Sequence, residues 1–236
     1  MTEIANVASA DVALQLDRAS SAQERFRIMY EVLRDRICML VYAPGTQLGE
    51  EALAAEFGVS RSPLRKVLQN LEADGLLLSQ QGIGTLVTDI DVDELEQVYR
   101  LRMELNELTG RLAPASIDAR LRALFEEMHK RSVALRGEPA RESFARLNID
   151  FFHAFQQLTE NQPLKEVSER LFYQTCRIWL KMIPSMTLEN EVDIFCREIE
   201  EICSAVALGD VLAAAMIRKA HLSMGFTRLR SHRQGP

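Results

Sequence analysis

Arg61, Arg65 and Gln69 stand four residues apart in a segment whose apolar positions are Leu64, Val67, Leu68 and Leu71. On a helix the second set makes one buried stripe and the first set a separate face. A guanidinium fork on such a face can donate two parallel N–H bonds to O6 and N7 of guanine, which separates the right base from a wrong one by about tenfold or more. Ser60 and Ser62 stand at the start of the same segment, where hydroxyls and unpaired backbone N–H groups can hold phosphate. Exposed arginines are more often merely solvated, so the face alone does not decide its use. The punctuation around it does.

Gly58 closes a short preceding helix, Leu48 to Phe57, because glycine tolerates the left-handed exit conformation. Ser60 suits an N-cap, and Pro63 falls in the first turn, where its missing N–H would have no intrahelical partner. Two helices joined by a tight glycine turn, the second with arginines outward, predict a helix-turn-helix. Beyond Gly75, the runs Leu76 to Gln80 and Thr85 to Thr88 flank Gln81-Gly82-Ile83-Gly84 and predict a hairpin, the wing. Gly82 would let the backbone approach a minor groove, with Gln81 beside it. Upstream, Ile28, Met29, Val32, Leu33, Ile37 and Leu40 give a helix from Phe26 that stops at Pro44-Gly45. Residues 1–21 lack a sustained period and read as a mobile arm, in which Val12 to Leu16 is compatible with a helical turn.

From Asp91 onward there is no strand signal. Breaks at Pro114, Gly137, Pro163, Pro184 and Gly209 divide the rest into six helices: 93–113, 117–135, 139–159, 163–183, 188–208 and one capped by Asp210 that runs to 230. Short links between them predict an antiparallel bundle. The expected fold is mainly α: a winged helix-turn-helix over 22–89, an all-α six-helix bundle over 90–230 and a tail over 231–236.

Composition narrows the function classes. With 47% apolar and 26% charged residues the chain is globular, neither disordered nor fibrous. Cys38, Cys176, Cys196 and Cys203 form no Cys-x-x-Cys pair, which argues against a zinc finger or a disulfide scaffold and for reduced, buried thiols. The absence of an 18-residue apolar run or a secretory leader pattern predicts a cytoplasmic chain with no membrane partner. The net charge is −6, and residues 22–88 carry seven Lys+Arg against eight Asp+Glu. Affinity for DNA must therefore rest on a local cluster, and a single reading domain would bind weakly. A homodimer on a short pseudo-palindromic site follows as the expectation. No Gly-x-Ser-x-Gly, phosphate loop or His-Glu-x-x-His occurs, so no enzyme is expected.

The run of Pro44-Gly45 through Leu48, Leu53-Ala54, Phe57-Gly58-Val59-Ser60-Arg61-Ser62-Pro63-Leu64-Arg65-Lys66-Val67-Leu68, Leu71-Glu72-Ala73-Asp74-Gly75-Leu76, Gly82-Ile83-Gly84 and Val87 resembles the winged helix of GntR-family bacterial regulators. The helical remainder resembles the FCD-like effector domain of that family's FadR-type branch, through Arg102, Asn148 with Phe151, Asn161 with Leu164, Ala205 with Gly209-Asp210, and His221. The resemblance implies a sequence-specific transcriptional regulator, commonly a repressor of a metabolic operon, in which Ser60, Arg61, Ser62, Arg65 and Gly82 meet double-stranded DNA.

That branch often binds a divalent metal through an Asp or Asn, a His four residues later, a His in the fifth helix and a His in the last. The corresponding residues here are Asn148, Phe152, Ile199 and His221. Two of the four carry no lone pair, so no metal and no cofactor are expected. His153 would point about 100° away from the ligand position beside it. Arg102 either anchors a carboxylate through two parallel N–H bonds or serves as a structural pair; its usual acidic partner four residues on is replaced by Asn106. The expected effector site is Arg102, Asn148, Phe152, Arg177, Ile199 and His221, with Tyr173 and Trp179 nearby and a cavity less polar than in metal-holding relatives. Its ligand is a small organic acid held by Arg102 and His221, or a more apolar molecule such as an acyl chain. A non-catalytic helical interaction protein is the competing class, and sequence-specific DNA binding separates it from a regulator.

Overall fold

A computed structural model of the chain describes residues 12 and 14–233. The rest of the arm and residues 234–236 lie outside this range, so the expectation of mobility there meets no observation. The chain divides into two compact units between Asp89 and Ile90.

In the first unit a helical turn over 14–18 (α1) precedes α2, Ala22–Cys38. This helix starts four residues ahead of Phe26, where the apolar stripe begins, because Ser21 caps it: the Ser21 hydroxyl accepts from Glu24 N at 3.1 Å. The Glu24 carboxylate reaches back to accept from Ser20 N and Oγ at 2.7 and 2.8 Å. Leu33 and Ile37 of α2 are wholly buried, and the helix packs on α4.

A two-residue strand, β1 (Gln47–Leu48), leads into α3, Glu50–Phe57. Gly58 closes α3 at φ +63°, in the left-handed region that glycine enters without strain. The next helix, α4, spans Arg61–Ala73 with Ser60 at its N-cap and buries Leu64, Val67, Leu68 and Leu71. Ser60 has the extended backbone of a cap, yet its hydroxyl makes no cap hydrogen bond.

The hairpin consists of β2 (Leu77–Gln80) and β3 (Gly84–Val87), paired antiparallel with Leu77 opposite Val87 and Gln80 opposite Gly84. β1 joins its far side, Gln47 opposite Leu86, giving the sheet order β1-β3-β2. Backbone bonds from Gly45 N to Val87 O and from Val87 N to Thr46 O, both 2.9 Å, extend that pairing. The sequence reading missed β1, since two residues show no alternation.

The second unit is helical. Its elements are α5 (Glu96–Thr109), α6 (Ala119–Gly137), α7 (Arg141–Gln156), α8 (Gln162–Thr175), α9 (Ile178–Met182) with a 3-10 turn Ile183–Ser185, α10 (Leu188–Ala207) and α11 (Val211–Arg233). α11 lies between α5 and α10, α6 packs on α10 and α7, and α8 packs on α5. Capping fixes three starts: Asp118, Asn161 and Asp210 each accept a backbone N–H three residues on, from Leu121, Leu164 and Ala213, at 2.8, 3.0 and 2.8 Å. Phe125, Phe151 and Phe195 make edge-on contacts at the centre of the core.

Two expected helices are corrected. The one expected over 93–113 ends at Thr109, with Gly110 as its C-cap, where α11 comes so close that a Cβ would lie 2.6 Å from the Leu212 Cα. The one expected over 163–183 breaks after Thr175, whose hydroxyl is turned back onto the carbonyls of Leu171 and Phe172 at 3.1 and 3.0 Å. No helix among the described residues is long and apolar enough to cross a membrane.

Candidate DNA-reading face and helical-domain cavity

The six residues expected to meet DNA all lie exposed in the first unit: Ser60, Arg61, Ser62 and Arg65 in and before the first turns of α4, Gln81 and Gly82 in the wing turn. Gly82 adopts φ +80°, so the turn depends on glycine there. Next to it, the Gln47 amide donates to Ile83 O and ties the wing turn to β1. The apolar stripe of α4 turns Arg61 and Arg65 away from the core, with side chains 61% and 59% exposed.

These arginines have partners that the sequence reading did not assign. Arg61 Nη2 donates to Glu51 Oε1 at 2.5 Å, and Arg65 donates from Nε and Nη2 to Glu50 at 3.1 and 2.8 Å. Glu50 and Glu51 form the first turn of α3, where carboxylates also suit the positive end of the helix dipole. That preference was the only signal in the sequence, and it says nothing about reach.

The second unit encloses a cavity of about 50 Å³ among α5, α7, α8, α10 and α11. Of the expected effector residues, Arg102, Asn148 and His221 line it. Phe152, Arg177 and Ile199 do not. Phe152 is stacked face to face on Phe172 at 3.9 Å and lines, with Arg102, a separate cavity of about 10 Å³. Arg177 and Ile199 are buried, at 1% and 0% exposure, away from the lining. Trp179 does line the larger cavity, whereas the Tyr173 hydroxyl is engaged by His153 Nε2 at 2.7 Å.

Tyr99, Glu191, Glu198, Arg218 and Arg228 also line the cavity, so its wall is charged. Two ion pairs account for four of those groups. Arg218 Nη1 donates to Glu198 Oε1 at 2.5 Å, both side chains at least nine-tenths buried, and Arg228 Nη2 donates to Glu191 Oε2 at 3.0 Å. The residues missed had a signal: they are charges set inside apolar stripes, Glu191 and Glu198 one heptad apart among Val192, Phe195 and Ile202.

Arg102 differs from the other two arginines. It is buried, its Nη1 donates to Thr175 Oγ1 at 2.5 Å, and its guanidinium lies 5.3 Å from the centres of both the Tyr99 and Phe172 rings. Among the described residues no carboxylate forms an ion pair with it. Burial, with help from the nearby Arg218 charge, lowers its pKa to about 10. Burial pushes the Tyr99 hydroxyl up to about 12, so it stays a neutral donor. His221 Nε2 pairs with Glu201 Oε2 at 2.8 Å, while Nδ1 is buried without a partner. Among the described residues the buried Tyr99 hydroxyl faces Arg102 and Trp179 without a well-formed hydrogen bond.

The metal that the family resemblance implies does not fit these residues. Asn148 and His221 supply at most two donors, Phe152 and Ile199 supply none, and among the described residues no group of three His, Cys, Asp or Glu could hold an ion.

A winged helix-turn-helix with outward arginines, on one chain with a helical unit that encloses a charged cavity, has the make-up of a ligand-responsive transcription regulator. The chain belongs to the GntR family of bacterial regulatory proteins: that family's model matches residues 27–87, and the model of the FCD domain matches residues 97–224, more than half of the chain. The FCD domain is a ligand-binding effector domain, and the family is one of DNA-binding regulators, not enzymes. The chain is 27% identical over 197 residues to YdhC, an uncharacterized HTH-type transcriptional regulator of Bacillus subtilis (strain 168), covering 82% of this chain and 86% of that one. It is 29% identical over 171 residues to the gluconate operon transcriptional repressor of the same organism, covering 69% of each. Among solved structures, E. coli McbR/YncC shares the fold with a TM-score of 0.78 at 17% identity, covering 92% of this chain and 100% of that one. A putative GntR regulator from Rhodococcus sp. RHA1 does so at 0.71 and 20%, covering 88% and 98%.

Proposed function

We propose that this chain is a repressor of a metabolic operon that binds a short pseudo-palindromic operator as a cytoplasmic homodimer, and that a small carboxylate in the helical cavity changes its hold on DNA without a metal. Arg102 carries this reading. A guanidinium buried with only neutral partners among the described residues costs free energy that an anionic ligand would recover. The cavity wall has three arginines against two glutamates, one positive charge in surplus. A carboxylate balances that surplus, takes hydrogen bonds from Arg102 and the Tyr99 hydroxyl, and offers any hydroxyl of its own to His221 Nδ1 or Asn148.

On the DNA side, Arg61 and Arg65 read bases, Ser60 and Ser62 hold phosphate at the N-terminus of α4, and the wing turn at Gln81 and Gly82 meets the minor groove. A ligand that fits one placement of the two reading units better than another shifts the DNA equilibrium by that difference in affinity and no more.

The test is selection of genomic fragments by the purified protein, followed by release from the enriched site with a panel of small mono- and dicarboxylates. We expect one acid to release wild-type protein and to leave Arg102→Gln bound. Release by apolar acyl compounds alone, or equal release of both proteins, refutes the reading.

A further inference from the structure

The two arginines assigned to base reading are held in different ways. Arg61 meets Glu51 through one nitrogen, and the Glu51 side chain is 81% exposed. Arg65 is held along one edge: Nε donates to Glu50 Oε1 at 3.1 Å and Nη2 to Oε2 at 2.8 Å, with the Glu50 side chain only 32% exposed. The Arg65 hydrogen bond holds the Glu50 carboxyl below its ordinary pKa, so the carboxylate is charged wherever the protein would bind DNA.

A guanidinium has five N–H donors in one plane. The edge toward Glu50 uses one on Nε and one on Nη2. The neighbouring edge, at the tip of the fork, keeps one donor on Nη1 and the outer one on Nη2, and two parallel donors of that kind match O6 and N7 of guanine. The carboxylate grip and the base contact are therefore compatible. We propose that Glu50 is a positioning residue for DNA reading, which keeps its hold on Arg65 in the complex and presents the tip edge of the guanidinium to a guanine. The proposal rests on the base-reading role of Arg65.

Two physical arguments support it. A free arginine side chain loses most of its rotamer freedom when it docks, and one already fixed in its plane loses less. A carboxylate behind the guanidinium also repels phosphate and reduces what Arg65 would gain by sliding to the backbone, which would bind any sequence equally well. Exposed ion pairs add little to fold stability, so the geometry is better explained by what it does to DNA choice.

The test uses full-length protein and the site recovered by genomic selection. Affinity is measured for that site, for single-base variants of it and for unrelated DNA, with wild type, Glu50→Gln, Arg65→Ala and the double variant; melting temperature is recorded for each. Glu50→Gln is expected to melt with the wild type and to lose about fivefold or more of the discrimination at one guanine position. It keeps or gains affinity for unrelated DNA, and it adds no further loss in the Arg65→Ala background. Full discrimination retained by Glu50→Gln overturns the proposal. So does a loss spread evenly over all sequences with a lowered melting temperature, which marks a structural role. A site whose base preferences survive Arg65→Ala, or no enriched site with wild type, removes the base-reading role of Arg65 and this proposal with it, whereas failure of Glu50→Gln alone leaves that role standing.

Discussion

Arg102 on α5 and Thr175 at the end of α8 meet through a 2.5 Å hydrogen bond, a neutral hydroxyl facing a buried guanidinium. Thr175 Oγ1 also faces the carbonyls of Leu171 and Phe172, so one hydroxyl both ends α8 and fixes a buried cation at the cavity.

Arg102→Met should therefore separate stability from response. Removing a buried, unbalanced charge in favour of an apolar side chain of similar length is expected to leave the ligand-free protein as stable or to stabilise it by about 1 to 2 kcal/mol. The same variant should show no rise in melting temperature with any carboxylate that stabilises wild type. Thermal denaturation with and without ligand reads both.

The Arg218–Glu198 pair behaves oppositely. Glu198→Ala strands a guanidinium only 6% exposed, and about 3 to 5 kcal/mol of stability should be lost. The double variant Arg218→Met with Glu198→Leu removes both charges and should recover most of it, since Arg218 also lies over the Phe151 ring at 5.3 Å and its replacement keeps that contact apolar. Urea denaturation of the three variants gives the comparison.

Gly110→Ala sets helix propensity against packing. Alanine gains at most about 1 kcal/mol over glycine in a helix. Here the new Cβ would stand 2.6 Å from the Leu212 Cα, a backbone atom that cannot turn aside. Overpacking of this kind costs about 1 to 3 kcal/mol, so packing wins and the melting temperature should fall.

Cys203 predicts an alkaline limit. Its thiol donates to Phe125 O at 3.1 Å, and burial pushes its pKa from 9.0 up to about 12. The unfolded thiol ionises first, so the unfolded chain holds fewer protons between pH 9 and 12 and native stability falls as pH rises through that window. Below pH 9 the contribution is fully present. Cys203→Ala should flatten the decline in melting temperature above pH 9, and an equally steep decline would show that other groups set it.

Much of the first unit could be read in advance because its conformation is written in single residues. Gly58, Pro63, Gly75 and Gly82 each permit or forbid particular dihedrals, so their order places helix, turn, helix and hairpin. The break after Thr175 was not readable, since Thr175, Cys176 and Arg177 have no strong conformational veto and the cause is a hydroxyl bonded to its own turn. The cavity was half readable. Arg102, Asn148 and His221 were named by the resemblance to the FadR-type branch, but the wall is assembled where three-dimensional stripes converge, and Glu198 faces it while its neighbour Ile199 does not. The mates of Arg61 and Arg65 depend on how far two side chains extend, which no periodicity encodes.

The backbone bonds between Gly45, Thr46 and Val87 make the segment from 45 to 87 a closed ring, with the reading helix inside and both ends pinned at one point. A pull delivered through Asp89 meets Thr88, which is bonded to Gly75 and Leu76, and then Val87, which is bonded to Gly45 and Thr46, so it is shared at once between the end of the reading helix and the start of the ring. The two ends of the reading segment are thus held beside each other by backbone bonds that do not depend on side-chain identity.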